Sequence, residues 1–286
     1  MRSPAAAGAL LLLLTCGGCA TMAGTEAPPG TLGRVMTSKT VIFGFRQSAA
    51  PFAFLGPDGQ AIGYSIDLCH HVAADLRRDL QLPDLRVKWV PVTVENRVRA
   101  LRDGTIDLEC GSTTNTLARQ AEVDFSLTTW VTGGSLLALR APALGDLSSF
   151  RIAVIPGTTT ERILKNALTG ATGVQWIAVN DHGEGRAALE SRAADAYASD
   201  REILIGLVLT AADPARFVIA DRYFSYEPYG LMLRRGDSDF RLAVDRSLAR
   251  LYRSGDILQI YQRWFGPLGG PDALMLATYA ISGLPE

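Results

Sequence analysis

The 286-residue chain is poor in the side chains that hold metals: three histidines and four cysteines, at spacings that supply no complete ligand set. Charge of one sign is also missing. Lys and Arg number 28 against 29 Asp and Glu, a net charge of −1, which gives no basic face for nucleic acid and no polybasic membrane patch. There are no repeats at solenoid spacing and no low-complexity tract beyond the N-terminus. No Ser-His-Asp or Cys-His arrangement suggests itself as a nucleophile site. No apolar run is long enough to cross a bilayer. What is present is a globular composition, 48% hydrophobic and 20% charged, on a chain long enough for two modest domains or one large one.

The longest apolar run, AAAGALLLLLT at residues 5–15, has the length of a signal-peptide core and follows Arg2. Small residues come next, so residues 1–23 are expected to be an export leader, cut after Ala20 or Ala23. Cys19 after Gly17-Gly18 offers a lipidated first residue instead, although Cys16 is unusual at that offset. Residues 24–37, rich in Gly, Pro and Thr, read as a linker. With Cys16 and Cys19 in the leader, the body keeps Cys69 and Cys110. In an oxidising compartment these form one disulfide, or they are two buried thiols.

In the body, strands alternate with helices, which argues for an α/β fold. Strands are expected at Thr40–Phe45, Val87–Val90, Thr105–Glu109, Ser135–Leu139, Arg151–Ile155, Gln175–Val179 and Asp195–Ser199. Helices are expected from Ile66, capped by Ser65, and over Glu95–Asp103, Ser238–Ser254 and Asp256–Trp264. Two strand ends run into hydroxyl-rich turns, Cys110-Gly-Ser-Thr-Thr-Asn115 and Pro156-Gly-Thr-Thr-Thr160, the second opening a helix. Strand ends in open α/β sheets face clefts, and a helix N-terminus presents unpaired N–H groups to an anion. Such turns suit a small zwitterion. Taken singly they read equally well as solvated loops, and Arg119 beyond the first turn as a surface arginine.

Six segments in order resemble the family 3 extracellular solute-binding proteins, the amino-acid receptors of bacterial ABC importers. They are Gly63-Tyr-Ser-Ile-Asp-Leu68, Asp107-Leu-Glu-Cys-Gly-Ser-Thr-Thr-Asn115, Ala121-Glu-Val-Asp-Phe-Ser126, Pro156-Gly-Thr-Thr159, Tyr226-Glu-Pro-Tyr-Gly230 and Tyr261-Gln-Arg-Trp-Phe-Gly266. The resemblance runs from about Thr40 to Gly266, and the ENR, ECGSTTN and NDHG segments are most similar to the glutamate/aspartate-binding branch. It implies a type II periplasmic-binding-protein fold of two α/β lobes with two hinge crossings. Lobe 1 would take 38–128 and 230–286, lobe 2 would take 134–224, and the hinges would fall at 129–133 and 225–229.

The same resemblance implies the ligand set. Arg119 and the Thr158-Thr159 turn would take an α-carboxylate, while Asp200, Thr114 and the Ser112 carbonyl would take the α-ammonium. Arg46, Arg97 and His182 match the residues that face an acidic side chain. Charge counting agrees: Arg119 and Asp200 balance a zwitterion, and two further buried arginines ask for a second carboxylate. Val94 departs from the branch, which carries a serine hydroxyl there. The resemblance thus implies a monomeric periplasmic receptor without a cofactor, handing glutamate or aspartate to a membrane permease. Exported cyclohexadienyl dehydratases share the architecture and are the alternative, with a sensory ligand-binding subunit as a third reading.

Overall fold

The computed structural model describes residues 30–139 and 147–286. The expected leader with Cys19, the first part of the expected linker and residues 140–146 of the expected second lobe lie outside the described residues.

Helix α1 (Gly30–Ser38) leads into strand β1 (Thr40–Phe45). The short strands β2 (Ser48–Ala49), β3 (Ala53–Leu55) and β4 (Ala61–Ile62) precede the long helix α2 (Tyr64–Asp79). Strand β5 (Arg86–Pro91), helix α3 (Arg97–Arg102), strand β6 (Leu108–Glu109) and a single turn, α4 (Leu117–Gln120), follow. Next come β7 (Val123–Thr132), β8 (Gly134–Leu139), β9 (Arg151–Val154), α5 (Thr159–Ala167), β10 (Gln175–Ala178) and α6 (His182–Glu190). Then β11 (Ala196–Asp200), α7 (Arg201–Leu209), β12 (Phe217–Ile219) and β13 (Glu227–Arg234) lead to the helices α8 (Ser238–Ser254), α9 (Ile257–Phe265) and α10 (Ala273–Ser282).

These elements make two five-stranded sheets, ordered β5-β1-β6-β13-β7 and β10-β9-β11-β8-β12. In each, four strands run in one direction and one, β13 in the first and β8 in the second, runs antiparallel to them. Each sheet carries its own apolar core. Phe43, Leu68, Leu231 and Phe240 are buried in the first, and Leu137, Ala153, Leu189 and Leu204 in the second. At roughly 25 cal/mol per Å² of apolar surface removed from water, such cores are the main stabilising term for each half.

The chain crosses between the sheets twice, through Gly133 and into β13. At the crossing β7 and β13 are paired strands, with Thr132 opposite Glu227 and Trp130 opposite Tyr229. Gly133 approaches the other strand so closely that a Cβ would lie 2.4 Å from the Ser225 carbonyl oxygen, so only glycine fits.

Several local expectations are corrected. Residues 30–37 are helical rather than a tether: Thr31 and Val35 are buried, the Thr31 N–H donates to Asp237 at 2.9 Å, and Arg34 pairs with buried Asp107. Ser65 is inside α2 rather than its cap. Gly63 is the N-cap, and the Ser65 hydroxyl donates to the Gly111 carbonyl at 2.8 Å. The strand expected over Thr105–Glu109 shortens to Leu108–Glu109, with both side chains buried because β6 lies in the middle of its sheet. The cysteine alternatives resolve: Cys69 of α2 and Cys110 after β6 are disulfide-bonded, with Cα atoms 6.2 Å apart.

Candidate functional site

The parallel strands of both sheets end toward each other, and the residues just past their C-terminal ends line one cavity, as expected of open α/β sheets. Arg46 follows β1, Ser112 and Thr114 follow β6, Thr158 and Thr159 follow β9, and Asp200 ends β11. Arg97 from α3, Arg119 from α4 and His182 from α6 complete the wall, so all nine residues expected from the sequence come together.

One end is cationic. The Arg46 guanidinium is buried, at 4% exposure, and has no hydrogen-bond or ion-pair partner among the described residues. Burial, with Arg97 nearby, lowers its pKa to about 10, so it stays charged at neutral pH. Arg97 is equally buried and donates to the Thr113 hydroxyl at 2.6 Å, which in turn donates to Glu109 at 2.8 Å. Its contact with the Glu109 carboxylate itself is 3.9 Å. His182 is the first residue of α6, behind the N-cap Asp181, and its Nδ1 lies 2.7 Å from the Tyr197 hydroxyl. Burial and the two arginines hold the His182 pKa well below 6.5, so the ring is neutral. In the tautomer in which Nδ1 accepts from Tyr197, Nε2–H is left to donate.

The other end is rich in acceptors. Asp200 is 7% exposed; Tyr229 donates to its Oδ2, while Oδ1 is buried with no hydrogen-bond partner. Burial first, and Glu227 second, raise the Asp200 pKa to about 7. Thr114 is held by backbone pairing of its loop to β13: Asn115 N–H donates to Pro228, and Gly230 N–H to Thr113. Half-buried Ser112 lines the wall between the two ends.

Arg119 stands at the rim, its pKa lowered to about 10 by burial and by Arg97. It donates to the Thr114 carbonyl at 2.8 Å and, across the cleft, to the Gly157 carbonyl at 3.5 Å. Thr158 caps α5 by accepting from the Glu161 N–H at 3.1 Å, which leaves the first N–H groups of the helix facing the cavity wall. Val94 also lines the cavity. Val94 packs against the apolar core of the second sheet, so an apolar contact spans the cleft where the resemblance implies a serine hydroxyl.

Sequence reasoning places Glu109 near the site without orienting it and gives Glu227 no role. Glu227 lies within Tyr226-Glu-Pro-Tyr-Gly230, a segment that carries the family resemblance. Both carboxylates are fully buried. With them the site holds three arginines and three carboxylates, so the charge count made from the sequence is corrected: the number of charges does not by itself demand a diacid. The informative feature is the pairing: Glu109 serves Arg97 through Thr113, while Arg46 has no hydrogen-bond or ion-pair partner among the described residues.

A family model described as "Bacterial extracellular solute-binding proteins, family 3" matches residues 41–267. An "L-glutamate/L-aspartate-binding protein" of Pseudomonas aeruginosa is 37% identical over 242 residues, covering 82% of this chain and 80% of its own. A "Glutamate/aspartate import solute-binding protein" of Escherichia coli is 33% identical over 270 residues, 93% and 89% of the two chains. Among solved structures, an ancestral amino-acid-binding protein described as a precursor of cyclohexadienyl dehydratase superposes with a TM-score of 0.72 at 26% identity, covering 82% of this chain and 100% of its own. The two facing α/β sheets and the match over nearly all of the described residues agree: this chain belongs to the family 3 bacterial extracellular solute-binding proteins.

Proposed function

We propose that this protein is a periplasmic receptor that captures glutamate or aspartate between its two lobes and presents it to the permease of an ABC importer. The observation that carries the reading is the cationic end of the cavity. Arg46, unpartnered and buried beside Arg97 and a neutral His182, is poised for an anion. A buried unpaired cation is costly, and a ligand carboxylate there relieves it. The α-ammonium meets Asp200 Oδ1, Thr114 and the Ser112 carbonyl; the α-carboxylate meets Arg119 and the N–H groups of Thr158 and Thr159. The names of the relatives, which bind glutamate and aspartate, support the same ligand class. Outside the cavity, Arg119 and Arg162 line an open groove together with the Glu161–Lys165 ion pair, a net positive approach for an anion.

Titration calorimetry of the mature protein with L-glutamate, L-aspartate and L-glutamine tests this. Tight binding of the acidic pair with weak glutamine binding supports it. Equal binding of glutamine overturns the roles of Arg46, Arg97 and His182.

The dehydratase reading has one observation in its favour: a carboxyl titrating near 7 in a cleft, as a general acid does. Burial and the neighbouring Glu227 account for that shift without catalysis, and the relatives named are binding proteins. Turnover of prephenate would reverse the preference.

A further inference from the structure

Glu227 is the first residue of β13 and fully buried, with no ion-pair partner among the described residues. Its Oε2 accepts from the Thr114 hydroxyl at 2.5 Å and from the Thr159 hydroxyl at 2.5 Å, and its Oε1 accepts from the Ser225 hydroxyl at 2.6 Å. Ser225 is itself fixed, accepting from the Gly134 N–H at 2.8 Å. These are lengths of charge-assisted O–H···O⁻ bonds.

A threonine hydroxyl has one hydrogen. With both threonine hydrogens directed at Glu227, each hydroxyl can offer only lone pairs to anything else. Thr114 lines the same cavity as Asp200, whose Oδ1 is unpartnered, so these groups accept and do not donate. We propose that Glu227 is a positioning residue that orients the Thr114 and Thr159 hydroxyls as acceptors, and so makes the site demand a cationic donor, the α-ammonium, on its ligand. Thr114 and Glu227 belong to the first sheet's half and Thr159 to the second, so only the orientation of the Thr159 hydroxyl depends on the two halves meeting. The inference rests on the acidic-amino-acid reading above and adds to it a selection against diacids that lack the amino group.

The test compares L-glutamate with glutarate, the same diacid without the ammonium, in wild type and Glu227→Gln. The glutamine oxygen can take the place of Oε2 toward both hydroxyls only as a neutral acceptor and with its amide N–H turned against the donating Ser225 hydroxyl, so the orientation is weakened. Glu227→Gln is expected to weaken L-glutamate about ten- to a hundredfold, the range for a hydrogen-bonded charge in a buried site, while glutarate changes less than about threefold. The glutamate-to-glutarate ratio therefore collapses, and Glu227→Asp restores part of it. Thr114→Val serves as a second variant if Glu227→Gln does not fold. It removes the oriented hydroxyl directly, and the same fall in ratio is expected. Equal losses for both ligands, which leave the ratio unchanged, would make Glu227 a tie between the halves and overturn the inference. Failure of wild type to bind L-glutamate is a different result: it sinks the function proposed above, and this inference with it.

Discussion

Tyr229 donates its phenolic hydrogen to Oδ2 of Asp200 and leaves Oδ1 bare, one residue reaching from a crossing strand to the end of a strand in the other sheet. Burial and Glu227 raise Asp200 to about 7. An ammonium docked on Oδ1 favours the carboxylate, so binding below that pH must displace a proton. Affinity for L-glutamate is expected to fall as pH drops below about 7, by at most about tenfold per pH unit. Calorimetry in two buffers of different ionisation enthalpy should show proton release at about pH 6 and almost none at about pH 8. His182 cannot supply this proton, because burial and two arginines keep it neutral. Asp200→Asn should abolish the release, and a release that persists there would place the titrating group elsewhere.

Free-protein stability has its own pH dependence from Asp200. A carboxyl raised in the folded state binds its proton more tightly there than in the unfolded chain, so its contribution turns against folding as pH rises from 3.8 toward 7. Saturating L-glutamate should reverse that slope, because the bound ammonium pulls the group back to its ionised form. Melting temperature against pH, with and without ligand, checks both signs.

Arg46 and Arg97 look alike in sequence and differ in surroundings. Arg46 has no anionic partner, whereas Arg97 is tied to Glu109 through Thr113. Arg46→Met should therefore leave the ligand-free protein as stable or more so, while costing about 2–5 kcal/mol of L-glutamate affinity. Arg97→Met leaves Glu109 buried without its cation and should also destabilise the fold, by about 3–5 kcal/mol. Urea unfolding of the two variants separates them, and matching stabilities would mean that Glu109 does not need Arg97.

The cavity wall was legible through the family resemblance, which is carried by short segments whose local order survives folding: a strand end, a hydroxyl turn, a helix start. The full burial of Glu109 was not, because alternation in Thr105–Glu109 signals a half-buried strand, whereas β6 is a central strand with both Leu108 and Glu109 buried. The contacts of Glu227 and Tyr229 were hidden for a related reason. Their partners lie more than twenty-five residues away in sequence, as with Asp200, or more than a hundred away, as with Thr114. Composition at residues 30–37 suggested a tether, yet Val35 in the core and the Arg34–Asp107 pair anchor a helix there, contacts that no local pattern announces.

The disulfide joins α2 to the residue after Glu109 and closes a loop of 41 residues. Chain entropy for a loop of that length corresponds to about 4 kcal/mol of stability. Reduction, or Cys69→Ala with Cys110→Ala, is expected to lower unfolding free energy by roughly 2–4 kcal/mol, read from denaturant midpoints with and without dithiothreitol. No loss on reduction would mean that core packing alone holds α2 against β6.

Gly206 lies in α7 against the loop of the other half, where an added Cβ would stand 2.6 Å from the Ala50 carbonyl oxygen. Within a helix, alanine is better than glycine by about 0.5–1 kcal/mol. Gly206→Ala should therefore stabilise the second half locally while obstructing the approach of the two halves. A receptor that works by closure must then bind L-glutamate more weakly in a protein that is not less stable. Small-angle scattering should find its radius of gyration with ligand larger than that of wild type with ligand. If affinity and the compaction on binding are both unchanged, the Ala50–Gly206 contact is not part of closure, and the movement must pivot so as to keep α7 and that loop together.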